Sequence, residues 1–395
     1  MGYFIVDAII LLQATIQILL PEFMRPTFAE INLEILNTNL KNIRKKIGQH
    51  PLIMAVVKAN AYGHGVLPVV RSIIKNKTAE YFGVALVEEG IELRKENIRY
   101  PIHVFTMPHR EQLNLFVSHD LEATICDLAI AQRLNTLAKQ KGKKIAIHIK
   151  IDTGMGRIGV SMTGAVKFVE SVSSMSNLFV KGIFTHFASS DESNLCFAHE
   201  QLKIFRTIVT QLELKGIHIP LVHCANSGAI LQMEDSYFDM VRPGIMMYGY
   251  TPSHETNASV VIKPVMSLKA KVGFVKTVPK GTSISYSRRY FTEKTTTIAS
   301  VTVGYADGYF RTLTNKISVL INGKKFPVVG TICMDQIMID VGNAKVNVGD
   351  EVVLIGKSKS KNISAWEISD SIGTIPYEVT CAVSSRVPRK YINAK

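Results

Sequence analysis

Lys58 is the residue whose type and place most need a chemical explanation. It ends an apolar run and begins a turn punctuated by glycines, in the segment AVVKANAYGHG at residues 55–65. The end of a buried strand is a poor place for an amine unless the amine binds or reacts, because burying an unpaired charge costs free energy. Lysine amines can form Schiff bases with carbonyl compounds. Covalent carbonyl chemistry at residue 58 is therefore a hypothesis to test against the rest of the chain.

Other polar residues stand in the same position relative to apolar runs. Each ends or closely follows a run, and any one of them alone would more often be structural than catalytic. They are Lys150 with Arg157 in KIDTGMGRIG, His186 in FTHFAS, Asn226 and Ser227 in HCANSGA, and Arg242 in MVRPG. If all these runs are parallel strands, the residues meet on one face, and that coincidence favours an active site.

The runs predict an α/β fold. Eight of them alternate with segments of helical periodicity, such as 192–216, and strands buried on both faces between helices are typical of parallel βα units. A (β/α)8 barrel accommodates eight runs better than an open sheet, and its chemistry lies at the carboxyl ends of the strands. The runs are LIMAVV (52–57), YFGVAL (81–86), IHVFT (102–106), EATIC (122–126), IAIHIK (145–150), VKGIFT (180–185), LVHCA (221–225) and DMVRPG (239–244).

After about residue 255 the chain predicts a mostly β domain. Strand-like segments follow one another there, and Asn322-Gly323 between two of them indicates a type I′ hairpin turn. We therefore expect a barrel domain at 24–255 and a β-rich domain at 256–395, with the strand-like segment 25–33 packing against the latter. We interpret residues 1–23 as an N-terminal extension and Met24 as the natural start, and we expect a chain from Met24 to be as active as the full one.

Composition excludes several other classes of protein. The chain has 395 residues, 47% of them apolar, and a formal charge of +14. Its lysines are scattered in short runs that usually face solvent, so we expect no nucleic-acid binding. The five cysteines are odd in number and lack a C-x-x-C pair, which favours a reducing compartment over a disulfide framework or a zinc site. The apolar stretch 4–20 carries Asp7, Gln13 and Gln17 and is short for a membrane span, so we expect no stable membrane association.

The loops after the last two predicted barrel strands suggest an anion site. ANSGAI begins a predicted helix, whose free N–H groups can bind an anion, and RPGI offers further amides beside a glycine. Phosphate sites built from these two loops recur in barrels. A phosphate site combined with a strand-end lysine suggests pyridoxal 5′-phosphate held as a Schiff base.

The longer motifs resemble one family of isomerases. In chain order they are VVKANAYGHG, KIDTGMGRIGV, THFA, HCANSGA, MVRPGIMMYG, SYSRRY, VGYADGY, ICMDQ and PYEVTCAVSSRVPRKY. Together they resemble the alanine racemases, PLP-dependent enzymes of fold type III, and the likeness runs from RPTFAEI to the C-terminus. The resemblance implies interconversion of L-alanine and D-alanine by two bases, because racemisation removes a proton from one face of Cα and returns one to the other.

The resemblance also assigns roles to residues. It makes Lys58 and Tyr286 the catalytic bases, and it makes the protein a homodimer in which the tyrosine of one subunit completes the barrel mouth of the other. The implied substrate-binding residues are Arg157, Met334 and Tyr305. The implied cofactor-binding residues are Lys58, Tyr62, Arg157, His186, Asn226, Ser227, Arg242, Gly244, Ile245 and Tyr377. No metal site is implied.

Two of the implied roles concern charge. Arg242 matches the arginine that faces the pyridine nitrogen, and a guanidinium donates hydrogen bonds without giving up its proton. Lys150 matches a lysine that family members often carry as the carbamate, N6-carboxylysine, an anion that would hold Arg157 in place. The alternative is an unmodified Lys150 with chloride or another anion beside Arg157.

Particular residues distinguish the competing functions from one another. A broad-specificity amino-acid racemase would share every motif, and a PLP-carrying homeostasis protein would have a single barrel and no second base. A basic amino-acid decarboxylase would place a glutamate at the pyridine nitrogen. Arg242 and Tyr286 argue against the decarboxylase, and the β-rich domain and Tyr286 argue against the homeostasis protein. The implied role of D-alanine in peptidoglycan synthesis places the enzyme in a bacterial cytoplasm.

Overall fold

The computed structural model describes residues 26–393, so the predicted extension 1–23 lies outside the described residues. The described chain forms two compact units. The barrel unit comprises Glu30–Met266, Thr374–Ala382 and the described residues from Arg389 onward. The β-rich unit comprises Ser267–Gly373, Val383–Pro388 and the described residues up to Ala29.

The barrel unit is built on eight parallel strands. In spatial order they run β10-β2-β3-β4-β5-β6-β8-β9. Their bounds are β2 Leu52–Val56, β3 Tyr81–Val84, β4 Ile102–Val104, β5 Glu122–Ile125, β6 Ile145–Asp152, β8 Leu178–Phe184, β9 Leu221–His223 and β10 Met240–Val241. The short strand β7, Val160–Ser161, pairs with β6. Each of the eight predicted runs overlaps one of these strands, which confirms the predicted barrel; β6 ends two residues later and β8 begins two residues earlier than predicted.

Backbone hydrogen bonds bring the last two strands together and nearly close the barrel. The amide of Asp239 donates to Val222 O at 3.1 Å, and the amide of Arg242 donates to Ala225 O at 2.9 Å. The strands are short and mostly apolar, as expected where helices cover the outer face of a parallel sheet. Closure sets the carboxyl ends of all eight strands around one mouth.

Helices follow most of the barrel strands. They are α1 Leu33–Ile47, α2 Val66–Asn76, α3 Val87–Lys95, α4 Leu113–His119, α5 Leu128–Gln140, α6 Ala165–Ser173, α7 Cys196–Leu214 and α8 Ser227–Gln232. The start of α1 is fixed by Asn32, whose side chain accepts hydrogen bonds from the amides of Glu34 and Ile35. None of the helices within residues 26–393 is long and apolar enough to cross a bilayer.

The β-rich unit is mostly antiparallel. Strands β11 Met266–Val278, β12 Thr296–Val301, β13 Ser318–Ile321, β14 Lys324–Pro327, β15 Ile337–Gly342, β16 Glu351–Ser358 and β17 Lys361–Ile363 build it, with one helix, α9 Ala365–Ile372. Strand β1, Phe28–Asn32, begins in this unit and shares its sheet. Val278, Ile284, Ile298 and Val329 form a core cluster. Asn322 and Gly323 have φ values of 53° and 80°, which confirms the predicted type I′ turn between β13 and β14.

The last part of the chain returns to the barrel unit. Helix α10, Pro376–Ala382, and strand β18, Arg389–Ile392, both belong to that unit. This placement was not visible in the sequence, and it carries Tyr377 to the barrel.

Candidate active site

Lys58 begins an unusual left-handed turn. Residues 59–62 all have φ between 52° and 54°, although none of them is glycine. A left-handed conformation costs a residue with a Cβ about 1–2 kcal/mol, so four in succession must be held by their surroundings. The turn takes the chain sharply away from the end of β2 and leaves Lys58 on the wall of a cavity.

Hydrogen bonds from several parts of the barrel unit brace this turn. The carboxylate of Glu89 accepts from the amide of Ala59 at 2.6 Å. The side chain of Asn60 accepts from the amide of Val66 at 2.7 Å. Arg389 in β18 donates twice to Gly63 O, at 3.1 and 2.9 Å. The turn is therefore held both by the first barrel repeats and by the C-terminal segment.

The cavity at the carboxyl ends of the strands has a volume of about 280 Å³. It gathers the cofactor-site residues that the sequence predicted within the barrel unit, together with Lys150. They are Lys58, Tyr62, Lys150, Arg157, His186, Asn226, Ser227, Arg242, Gly244, Ile245 and Tyr377. Residues as far apart in sequence as 58 and 377 thus share one cavity.

The cavity is rich in positive charge. No carboxylate of the described residues forms an ion pair with Lys58, Lys150, Arg157 or Arg242. Burial and the nearby Arg157 lower the pKa of Lys58. Burial, with Arg242 and Arg157 close by, lowers the pKa of Lys150 to about 7. Such a site favours an anionic ligand, and it favours the neutral, nucleophilic form of both amines more than water does.

Arg242 is fixed by four buried or partly buried partners. Its Nη1 lies 2.8 Å from His223 Nδ1. Its Nη2 donates to Thr185 O at 2.8 Å and Cys224 O at 3.0 Å, and lies 3.3 Å from His186 Nδ1. Burial lowers the pKa of Arg242 to about 10 and that of His186 well below its usual value. Arg242 therefore remains a charged donor at neutral pH, whereas His186 is uncharged.

One corner of the cavity is shaped for a compact anion. The amide of Gly244 donates to Ser227 Oγ at 2.9 Å. A Cβ at position 244 would lie 2.6 Å from Tyr62 Oη, so only glycine leaves this space open. Asn226 lines the cavity while its side chain accepts from the amide of Ala229 and from Ser190 Oγ, which caps α8.

Three of the predicted site residues lie in the β-rich unit and are brought together there. Tyr286 is tied by its carbonyl to Thr331 Oγ1 at 2.8 Å. The amides of Tyr305 and Ala306 donate to Cys333 O and Met334 O, at 3.0 and 3.1 Å. The side chains of Tyr286, Met334 and Tyr305 are 70%, 51% and 40% exposed. Ser285 and Ser287 on either side of Tyr286 have φ of 67° and 62°, so its backbone is held in a strained loop.

Sequence reasoning missed several residues that organise the site. Phe184, the last residue of β8, lies under Lys150 Nζ at 4.9 Å and stacks on His223 with ring centroids 5.0 Å apart. Gln201 in α7 accepts from the amide of Ala188 at 2.9 Å and donates to His186 O at 3.2 Å. A buried aromatic or glutamine gives no signal in sequence, because its role depends on contacts between distant segments.

The barrel mouth fits pyridoxal phosphate. Within the described chain the Lys58 amine and the hydroxyl groups of Tyr62 and Tyr377 have no protein hydrogen-bond partner, although all three line the cavity. The open corner at Gly244 and Ser227 suits a phosphate, and Arg242 offers a fixed donor across the cavity. The donor set is thus matched to an anionic carbonyl compound.

Comparisons with known proteins agree with this geometry. Residues 31–252 match the profile "Alanine racemase, N-terminal domain", and residues 265–391 match "Alanine racemase, C-terminal domain". A protein of Caldanaerobacter subterraneus named alanine racemase 2 is 44% identical over 371 residues, covering 93% of this chain and 95% of that protein. The structure of alanine racemase from Clostridium difficile 630 superposes with a TM-score of 0.90 at 38% identity, covering 94% of this chain and 97% of that one.

This chain is also similar to a structure that is named for a different amino acid. Histidine racemase from Leuconostoc mesenteroides superposes with a TM-score of 0.86 at 26% identity, covering 93% of this chain and 98% of that one. The fold alone is therefore compatible with more than one amino-acid substrate. The two profiles, the 44% identity over nearly the whole chain and the barrel mouth agree, and this chain belongs to the alanine racemase family of isomerases.

Proposed function

We propose that this enzyme interconverts L-alanine and D-alanine with pyridoxal 5′-phosphate as its cofactor. The observation that carries the proposal is the barrel mouth, where the Lys58 amine, with its lowered pKa, faces a cavity lined by unpaired cations. When bound, the cofactor withdraws electron density from the substrate and makes its Cα proton removable.

Lys58 and Tyr286 share the proton transfers. Lys58 Nζ takes the Cα proton of D-alanine, and its lowered pKa favours the neutral amine that a base requires. The phenolic oxygen of Tyr286 takes the Cα proton of L-alanine on the opposite face. Tyr286 is 70% exposed on the β-rich unit, as expected of a residue that serves the barrel mouth of a second subunit. The homodimer with shared sites is therefore part of the proposal.

The remaining residues bind and orient. Tyr62, Ser227, Tyr377 and the amides at Gly244 and Ile245 would hold the phosphate. Arg242 would donate to the ring nitrogen without giving up its proton, with His186 and Asn226 supporting the contacts around it. Arg157 and the backbone at Met334 would bind the substrate carboxylate, while Tyr305 narrows the entrance.

Lys150 is proposed to carry a carbamate. Its pKa of about 7 leaves a large neutral fraction at physiological pH, and a neutral amine can attack dissolved CO2, forming an N–C bond and releasing a proton. The resulting anion would compensate part of the positive charge of Arg157 and Arg242. D-alanine made in this way would supply peptidoglycan synthesis in a bacterial cytoplasm.

Two assays test the proposal. Borohydride reduction of the cofactor-loaded enzyme followed by peptide mapping should place the pyridoxyl group on Lys58, and an adduct at another residue would contradict the assignment. Racemisation of alanine, serine, lysine and arginine should show a clear preference for alanine. Comparable rates for the larger substrates would favour the broad-specificity racemase instead.

A further inference from the structure

A row of hydrogen bonds crosses the inside of the barrel from Arg242 to Glu122. Arg242 Nη1 lies 2.8 Å from His223 Nδ1, and His223 Nε2 lies 2.9 Å from His148 Nδ1. His148 Nε2 in turn lies 2.9 Å from Glu122 Oε2. Both histidines are fully buried, and Arg242 is 4% exposed. Because Arg242 follows β10 whereas Glu122 begins β5, the row links the two ends of the barrel.

The two end residues fix every proton in this row. A guanidinium can only donate, so His223 Nδ1 must present a lone pair to Arg242. His223 then carries its proton on Nε2 and donates to His148 Nδ1. His148 likewise carries its proton on Nε2 and donates to the Glu122 carboxylate, which can only accept. Each neutral histidine is thus held in a single tautomer.

Glu122 is kept ionised at the far end. Lys181 Nζ donates to its Oε1 at 2.6 Å, and the hydroxyl of Tyr81 donates to its Oε2. Burial opposes the charge, but the hydrogen bonds from His148 and Lys181 and the charge of Lys181 lower the pKa of Glu122. Burial keeps His148 and His223 uncharged by lowering the pKa of each. Glu122 therefore remains an acceptor throughout the physiological pH range.

Arg242 needs such a partner because its other contacts are neutral. Its remaining partners are two backbone carbonyls and the ring of His186, and no carboxylate of the described residues pairs with it directly. In a dry interior, hydrogen bonds in series polarise one another, so a carboxylate at one end strengthens the acceptor at the other. The row is not a route for protons, since arginine keeps its own.

We propose that Glu122 is a positioning residue for Arg242, acting through His148 and His223. Through this row, Glu122 keeps His223 Nδ1 unprotonated, so that it accepts from Arg242, and makes that nitrogen a stronger acceptor. The guanidinium that faces the cofactor ring is thereby held in place. Only the last step, the placement of Arg242 against the cofactor ring, rests on the proposed function. The tautomers and the row itself can be tested without any turnover.

Neutron diffraction from deuterated wild-type crystals tests the row directly. The expected result is a deuteron on Nε2 of both His148 and His223, with none on either Nδ1. A deuteron on Nδ1 of either ring would overturn the proposal. This measurement needs no substitution, so it tests the two tautomers even if a variant at residue 122 fails to fold. It also needs no turnover, so its result is independent of racemase activity.

A double-mutant cycle tests the action on Arg242. Glu122→Gln should lower kcat about 10-fold, change KM for alanine less than about 2-fold, and shift the absorbance spectrum and weaken the affinity of the bound cofactor. In an Arg242→Lys background the same substitution should change kcat less than about 2-fold, since the residue it acts through is gone. Equal fold-changes in the two backgrounds would overturn the proposal, as would a folded Glu122→Gln enzyme with wild-type kcat and cofactor affinity.

Glu80→Gln is the matched control. Glu80 lies just before β3, near Tyr81, and its carboxylate accepts from Arg44 Nη2 at 2.8 Å and from the amide of Ile53 at 2.7 Å. Among residues 26–393, no side-chain hydrogen bond connects Glu80 or Arg44 to Arg242 or its partners. We expect Glu80→Gln to lower the melting temperature while leaving kcat and the cofactor spectrum unchanged. An equal loss of kcat in Glu80→Gln would show that Glu122 acts through stability alone.

Discussion

The barrel mouth and the active-site loops of the β-rich unit hold their functional groups in opposite ways. At the barrel mouth, Lys150 is 2% and Arg242 is 4% exposed, and burial lowers the pKa of both, with neighbouring cations adding to the effect on Lys150. On the β-rich unit, Tyr286 is 70% and Met334 is 51% exposed. The first region buries its cations within the barrel unit, whereas the second leaves its side chains exposed on the described chain. The proposed two-chain site accounts for that difference.

Removing the reactive amine should have the largest effect. We expect Lys58→Ala to lower kcat/KM for alanine by more than about 10⁴-fold, because both covalent attachment and one base are lost. Racemisation followed by circular dichroism measures the loss, and the absorbance spectrum reports the missing covalent link. Lys75→Ala, at an exposed position of α2, is the control and should behave as wild type. Substantial activity in Lys58→Ala would contradict the assignment.

Removing the second base should have the next largest effect. Tyr286→Phe deletes one hydroxyl from an exposed side chain, so the fold and the cofactor spectrum should be unchanged. Turnover from L-alanine should fall about 10²–10⁴-fold. Tyr290→Phe in the same unit, which loses a 2.8 Å bond to Asp340, should cost stability but little activity. A Tyr286→Phe enzyme with wild-type turnover would show that the exposed tyrosine is not a base.

Filling the open corner of the barrel mouth should have a smaller effect. Gly244→Ala places a methyl group 2.6 Å from Tyr62 Oη, and such overpacking costs about 1–3 kcal/mol. The affinity for pyridoxal phosphate should fall about 5- to 150-fold, measured by fluorescence titration of the apoenzyme. The control is Gly273→Ala in β11, where a Cβ would meet its nearest atom at 3.4 Å. Unchanged affinity in Gly244→Ala would remove this corner from the phosphate site.

Removing the buried charge of Lys150 should have the smallest effect, which is measured as a change in melting temperature. Its pKa is about 7 in the folded protein and near 10.5 in the unfolded one. Between these values the unfolded state binds more protons, so this group makes the fold more stable as pH rises from about 7. In CO2-depleted buffer, Lys150→Met should melt about 2–4 °C above wild type at pH 6, with the gap narrowing towards pH 9. A gap that is constant with pH would show that Lys150 is not a buried charge.

The sequence predicted the barrel well because its signals are local. Apolar runs such as IAIHIK and turn residues such as Asn322-Gly323 depend on neighbours within a few residues, and strand ends in a parallel barrel must meet. Strand order alone therefore predicts that Lys58, Ser227 and Arg242 share one face of the barrel. The left-handed turn at 59–62 gave no such signal, because Glu89 and Arg389 hold it from distant segments.

The roles of polar residues inside the barrel strands were harder to predict from the sequence. His103 in IHVFT and His148 in IAIHIK interrupt apolar runs, and Glu122 begins EATIC, a pattern typical of a buried polar network. Their meaning depends on tertiary register, since only the closed barrel sets Glu122, His148 and His223 in a row with Arg242. The roles of Tyr286, Tyr305 and Met334 could be taken from family resemblance alone.

Mixing two inactive variants tests the central claim most directly. Lys58→Ala and Tyr286→Phe chains, carrying different affinity tags, would be co-expressed and the mixed dimers compared with each parent. If Lys58 of one chain works with Tyr286 of the other, a mixed dimer has one intact site and one doubly substituted site. Purified mixed dimers should then show about one half of wild-type activity, and the unfractionated random mixture about one quarter. Mixed dimers as inactive as both parents would contradict the shared site.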